Sequence, residues 1–225
     1  MNVSSTNRIL ITGASGGLGA ALARYYAAHN CSLLLWGRNH DRLEAVAGEC
    51  RHAGATVTTR LLDLSDTDAA IAAVAADDAE AAITLALLVA GSGDIRAPGD
   101  RVEDAAQVAR LGLVNFVAPS AMAAALARLM AARGHGGIVL VGSAAAFHAL
   151  PFAAGYAASK AGLLRFAEAL RLGVAPHGVR VTVVSPGFID TPAGRANPGA
   201  RPFQLQPADA AARIARAAAS AGCSW

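Results

Sequence analysis

The sequence predicts an α/β protein, a doubly wound parallel sheet of six strands with helices on both faces. Three observations carry this. Short apolar runs alternate with longer Ala-rich helical stretches along the chain. The apolar runs are nearly uncharged, as strands covered on both faces are. Several of them end in glycine or a small polar residue, as at Gly13, Gly91, Ser143 and Pro186-Gly187. At 225 residues, the stretch 1–225 accommodates one such domain with a full core and not two comfortable ones.

The first run, RILIT at 8–12, empties into GASGGLG and then a helical stretch, AALARYYAAHN. Within TGASGGLG, Gly13, Gly17 and Gly19 stand in a T-G-x-x-x-G-x-G arrangement. There the missing side chains let backbone amides approach a pyrophosphate at the helix N-terminus. A glycine turn with no ligand looks the same in isolation, but no Lys-Ser/Thr pair follows, which excludes a P-loop. The stretch Thr12, Gly13, Ser15, Gly16, Gly17, Leu18 and Gly19 is thus the candidate dinucleotide cradle.

The second run, CSLLLW, ends in Gly37-Arg38, where an NAD-binding fold would carry an acidic residue for the ribose 2′-hydroxyl. Arg38 instead offers charge-assisted contacts to a 2′-phosphate, which favours NADP(H) over NAD(H). A solvated arginine at a strand end is the plain alternative. A helical stretch, DRLEAVAGECRHAG, leads to the third run, TVTTRLLDL at 56–64. Asp63 and Leu64 at its end stand where an adenine would lie. Asp63 equally suits a turn into the helical SDTDAAIAAVAADDAE, with Ser65 or Asp66 as N-cap.

ITLALLVAGSG is the fourth strand, with Ala90 and Gly91 at its carboxyl end. A long helix from Val102 to Arg133 follows and carries Asn115 among apolar neighbours. A lone amide there needs hydrogen-bond partners, whether it packs or acts.

The stretch Gly137 to Arg171 holds the candidate chemistry. GIVLVGS reads as a fifth strand ending in Ser143, and AAGYAASKAGLLRFAEALR as a helix with Tyr156 and Lys160 four positions apart on one face. A phenol near its reference pKa of about 10 is a sluggish acid or base at neutral pH. Lowering it by roughly three units takes about 4 kcal/mol, which a unit charge about 4 Å away supplies at an effective dielectric of about 20. Among 19 basic residues Lys160 is the sole lysine, as expected where a guanidinium would not substitute. A sixth strand, GVRVTVVSPGFIDT, closes at Ser185-Pro186-Gly187. A Pro- and Gly-rich segment to Pro207, a candidate lid, precedes the last helix, ADAAARIARAAAS.

Composition excludes several other classes. A net charge of +3 with scattered arginines gives no nucleic-acid footprint. Cys31, Cys50 and Cys223 are odd in number without C-x-x-C spacing, which points to a reducing compartment, and the six histidines show no metal-ligand spacing. MNVSSTNR lacks the pattern of a secretory signal, so a cytoplasmic location is expected. The uncharged run Gly134 to Ser159 is broken by Gly142, His148, Pro151 and Gly155 and does not read as a membrane span.

With the glycine turn, Asn115, Ser143, Tyr156, Lys160 and the Pro186-Gly187 turn in this order, the chain resembles the short-chain dehydrogenase/reductase family over nearly its full length. The thirteen-residue gap from Ser143 to Tyr156 belongs to that resemblance. The resemblance implies a Rossmann-type fold in which Tyr156 exchanges a proton with a carbonyl or alcohol oxygen that Ser143 holds. Lys160 would bind the nicotinamide ribose and lower the Tyr156 pKa, and Asn115 would anchor a water that recharges Lys160. Pro186, Gly187, Phe188, Ile189 and Thr191 would secure the carboxamide end of the cofactor. Ala145, Phe147, His148, Leu150, Phe152 and Phe188 are candidate pocket walls, mostly apolar, which suits a hydrophobic ketone or an acyl chain, or simply core. His148, the polar exception, suits substrate contact or a loop hydrogen bond.

Three departures from the family pattern stand out. Leu88-Val89-Ala90-Gly91 replaces the asparagine-containing loop after the fourth strand. Ser15 and Gly16 stand where many NADP-dependent members carry a basic residue. No apolar run follows Ser220, where members have a seventh strand. That last point, with the small-residue helices at Val102–Arg133 and Ala153–Ala175, leads to the expectation of a homodimer rather than a tetramer. A catalytically silent dinucleotide sensor on the same fold is the rival reading. It leaves the joint presence of Ser143, Tyr156 and the sole lysine unexplained.

Overall fold

The computed structural model describes residues 7–29, 31–93, 95–195 and 200–220. Six strands, β1 (Arg8–Thr12), β2 (Ser32–Gly37), β3 (Thr56–Leu61), β4 (Leu85–Leu88), β5 (Gly136–Val141) and β6 (Val179–Val184), form one parallel sheet in the order β3-β2-β1-β4-β5-β6. Because side chains alternate across a strand, each central strand feeds two cores at once. Ile9, Ile11, Leu33, Leu35, Leu85, Leu87, Val139 and Val141 point to one face. Leu10, Leu34, Trp36, Ala86, Leu88, Ile138 and Leu140 point to the other. This is why the runs read as unbroken apolar stretches.

Helices α1 (Gly17–Ala27), α2 (His40–His52) and α8 (Pro207–Ser220) cover the first face. Helices α3 (Thr67–Glu80), α5 (Ala118–Arg133) and α6 (Ala154–Val174) cover the second. The two remaining helices, α4 (Ala105–Gly112) and the short α7 (Pro192–Arg195), lie in the connections beyond β4 and β6. The strand order reverses direction between β1 and β4, and in open α/β sheets that switch point opens a crevice at the carboxyl ends of the strands.

Two expected elements differ in extent. The third strand, read to residue 64, stops at Leu61, because Asp63 turns the chain by accepting from Ser65 N at 2.9 Å. The helix expected from Val102 to Arg133 begins at Ala105, where Asp104 accepts from Gln107 N at 2.8 Å as N-cap. It is interrupted at Leu113–Val117 by a turn of π-helix that carries Asn115. The whole run Ala105–Arg133 is long and apolar enough to cross a membrane, yet half of its most apolar stretch is buried within the protein. Cys31 and Cys50 are buried free thiols, and Cys223 lies outside the described residues.

Candidate active site

The glycine turn joins β1 to α1 at the switch point, and its geometry explains its composition. Gly13 has φ +69°, and a Cβ on it would stand 3.0 Å from the Ala90 Cα. A Cβ on Gly19 would stand 2.3 Å from the Gly13 carbonyl oxygen, so α1 approaches its own turn more closely than any side chain permits. Thr12, fully buried, accepts through Oγ1 from Val89 N at 2.9 Å and Ala90 N at 3.1 Å. It thereby pins the end of β4 to the turn, where Leu88-Val89 offers no side-chain amide. Gly16 is exposed with open space around it, and α1 has neither a side-chain cap nor an acidic residue in its first turn. Leu18 is buried against the core, and Ser15 lies beside Gly37.

Arg38 and Asp63 meet beyond the ends of β2 and β3, with Nη1 3.7 Å from Oδ2 and both side chains exposed. The Asp63 carboxyl is held below its ordinary range first by the backbone bond from Ser65 and only secondarily by Arg38. The turn reading of Asp63 is thus realised, and Asp66, accepting from Ala69 N, is the N-cap of α3. Leu64 sends its side chain into the core.

On the other side of the switch point, Asn115 is fully buried and hydrogen-bonds Ser92 twice. Its Oδ1 accepts from Ser92 N and its Nδ2 donates to Ser92 O, both at 2.8 Å. Nδ2 also lies 3.3 Å from Ser159 Oγ. Gly91 fits into this cluster only without a side chain, since a Cβ would be 2.9 Å from Asn115 Oδ1 and 3.4 Å from Lys160 Nζ. Lys160 is 5% exposed and donates to the Val141 carbonyl at 2.9 Å, where burial lowers its pKa to about 8.

Ser143 follows the end of β5 and Tyr156 stands in the first turn of α6, close enough for the Ser143 hydroxyl to act on the phenol. Ser143 Oγ also accepts from Ala145 N at 3.1 Å. Burial raises the Tyr156 pKa above its ordinary value and the nearby Ser143 hydroxyl partly opposes this.

The segment after β6 closes over the glycine turn. Pro186 O accepts from Ala144 N at 2.9 Å, which ties it to the turn that follows Ser143. Ile189 forms a parallel bridge with Leu205, and a Cβ on Gly17 would stand 3.3 Å from Thr191 Cγ2. Gly187 and Phe188 are exposed. Residues 196–199 of the segment read as a lid lie outside the described residues. Of the candidate substrate walls, Phe147, His148 and Leu150 line a groove of about 620 Å³ whose other wall is the outer face of α6, Ala154 to Ala161. Ser143, Tyr156, Ala145, Phe152 and Phe188 are not among its lining residues. Sequence reasoning missed Ser92 and Ser159, whose only signal was their place beside Gly91 and Lys160.

The comparisons agree with this geometry. A model of the short chain dehydrogenase family matches residues 7–200. A relative described as an uncharacterized oxidoreductase from Myxococcus xanthus is 36% identical over 208 residues, covering 89% of this chain and 79% of the relative. A "Dehydrogenase/reductase SDR family protein 7-like" from Anopheles gambiae is 36% identical over 81% of this chain, which spans 59% of that longer protein. Among solved structures, a short-chain dehydrogenase from Sphingobium yanoikuyae in complex with NADPH superposes with a TM-score of 0.86 at 28% identity, covering 96% of this chain and 85% of that one. The chain belongs to the short-chain dehydrogenase/reductase family of NAD(P)-dependent oxidoreductases.

Proposed function

We propose that the protein reduces a small apolar carbonyl compound at the expense of NADPH, with Tyr156 as proton donor. The observation that carries this is the placement of the half-buried Tyr156, in the first turn of α6, beside Ser143 at the end of β5, where the phenol carries a proton to give. The cradle fits a dinucleotide, since the uncapped N-terminus of α1 presents backbone N–H groups beside glycines that exclude side chains. Thr12, Gly13, Ser15, Gly16, Gly17, Leu18 and Gly19 would hold the pyrophosphate end, and Asp63, Leu64, Ala90 and Gly91 the adenosine side. Pro186 to Ile189 and Thr191 would hold the carboxamide. When bound, the nicotinamide supplies the hydride.

In this reading Tyr156 gives its hydroxyl proton to the substrate oxygen and Ser143 orients that oxygen by a hydrogen bond. Lys160 turns its ammonium from Val141 to the ribose hydroxyls, and Asn115 holds the Ser92–Gly91 backbone beside it. Phe188 and Phe152 give the substrate apolar surface. Tyr156→Phe should abolish carbonyl-dependent oxidation of NADPH, followed by cofactor absorbance, while NADPH still binds. Turnover near the wild-type rate would remove Tyr156 from its role.

Arg38 supports NADPH over NADH: exposed and loosely paired, it is free to exchange Asp63 for a 2′-phosphate. Arg38→Ala should weaken NADPH binding about tenfold or more and leave NADH nearly unchanged, as isothermal titration would read. Equal losses for both cofactors would make Arg38 a surface residue. The working unit in this proposal is a cytoplasmic homodimer.

A further inference from the structure

Tyr156 lies in the first turn of α6, so whatever fixes the start of that helix fixes the phenol. The chain supplies no local cap there. The N-cap position is Ala153, whose side chain accepts nothing, and the first turn holds no acidic residue. The amide beside Tyr156, that of Gly155, is satisfied instead from 52 residues away, donating to Glu103 Oε2 at 3.0 Å. The other carboxylate oxygen, Oε1, is buried without a hydrogen-bond partner and lies 3.5 Å from where a Cβ on Gly155 would stand. A negative group suits this place, because the first turn of a helix presents unpaired N–H groups.

Glu103 ends the segment that leads from β4 into α4, and that segment is bound to the site at each end. Ser92 at its start clasps Asn115. Arg96 N donates to Phe152 O at 2.9 Å, and Gln107 Nε2 donates back to Ile95 O at 2.9 Å. Asp104 caps α4, so two successive acids cap two helices, one local and one remote. A Cβ on Gly155 would also stand 3.3 Å from the Val108 Cα, so α4 approaches α6 backbone to backbone at this point.

We propose that Glu103 is a positioning residue for Tyr156: it caps the helix that carries the phenol and so sets the phenol against Ser143. This rests on the reading of Tyr156 as proton donor. A bond made at the residue next to the phenol transmits a small shift of the helix start directly to the proton-transfer distance, and misplacements on the ångström scale are costly in rate.

The test measures NADPH oxidation with a carbonyl substrate for Glu103→Ala, Glu103→Asp and Glu103→Gln. Glu103→Ala should lower kcat by about tenfold, with the NADPH Kd held within about twofold and the pH midpoint of kcat unmoved, since the proton donor is unchanged. Glu103→Asp, which keeps the charge on a shorter arm and disturbs folding less, should move kcat in the same direction. Glu103→Gln keeps an acceptor oxygen at full reach and should return kcat to within about threefold of wild type. Adding Ala153→Ser to Glu103→Ala installs a local cap and should recover part of the loss. Wild-type kcat in Glu103→Ala, an equal loss in Glu103→Gln, or a shifted pH midpoint would overturn the assignment. Tyr156→Phe measured alongside separates the failures: retained turnover there sinks the proton-donor reading, whereas lost turnover with normal kcat in Glu103→Ala sinks only the role of Glu103.

Discussion

Lys160 is a charged residue held against its own solvation. Its ammonium is almost fully buried, with the Val141 carbonyl as hydrogen-bond partner, and burial lowers its pKa from 10.5 to about 8. A lowered lysine pKa is a stability penalty with a definite pH window. Below about pH 8 both folded and unfolded chains carry the proton and the folded chain bears the full penalty. Between about 8 and 10.5 the unfolded chain binds more protons than the folded one, so stability rises with pH, and above 10.5 the penalty is gone. At pH 7 this amounts to about 3 kcal/mol, less whatever the Val141 bond returns. Lys160→Met should therefore stabilise the cofactor-free protein against urea at pH 7, and its advantage should shrink by pH 10. A variant less stable than wild type at pH 7, or an advantage independent of pH, would contradict this account.

At the scale of elements, α3 is locked to the outer strands by one carboxylate. Asp77, 3% exposed, accepts from Trp36 Nε1 at 3.1 Å on β2 and from Arg60 Nε at 2.9 Å on β3, with a second contact to the Arg60 guanidinium. The Arg60 guanidinium also stacks 5.9 Å from the centroid of the Trp36 ring. Removing one partner of a buried pair leaves the others desolvated and unpaired, so Asp77→Ala should cost about 3 to 5 kcal/mol. At roughly 2 to 4 °C per kcal/mol for a chain of this size, the melting temperature should fall by about 10 °C by circular dichroism. Asp77→Asn, which retains an acceptor for Trp36, should lose less, and equal losses would deny the hydrogen-bond account. None of this was legible in the sequence, because Asp77 sits in an Ala-rich helix whose pattern gives no sign of which side chain faces in. The six strands were legible, since apolar runs such as RILIT and CSLLLW are covered on both faces and carry no competing signal. So were the places of Ser143 after a strand end and of Tyr156 at a helix start. The π-turn at Asn115 was not, because an apolar helical pattern passes through Leu113–Val117 unchanged. Spacing also gave no sign of the Val141 carbonyl as partner of Lys160, because it places two side chains on one face but does not say which buried acceptor the longer one finds.

At the scale of the molecule, the groove beside the turn after Ser143 is the face on which a second copy is expected to dock. Its floor is built of small residues, Ala154, Ala157, Ala158 and Ala161 of α6, and its rim is the turn from Ala146 to Pro151. Phe147 on that rim is 63% exposed and Phe152 beside it 47% exposed, and exposed aromatic groups next to an alanine face make a surface that association would cover. A two-fold axis along α6 would let each copy bring its Phe147 to the other's alanines, and small side chains permit the close approach that helix pairing needs. Light scattering at micromolar concentration should then give a mass of twice 22.6 kDa. Ala158→Arg places a guanidinium at the centre of the exposed alanine face and should return the protein to a monomer. Because the turn that forms the rim begins at Ser143, the monomeric variant should also lose kcat more than cofactor affinity. A wild-type mass of one or four chains, or an Ala158→Arg protein that stays dimeric, would show that this face is not where the copies meet.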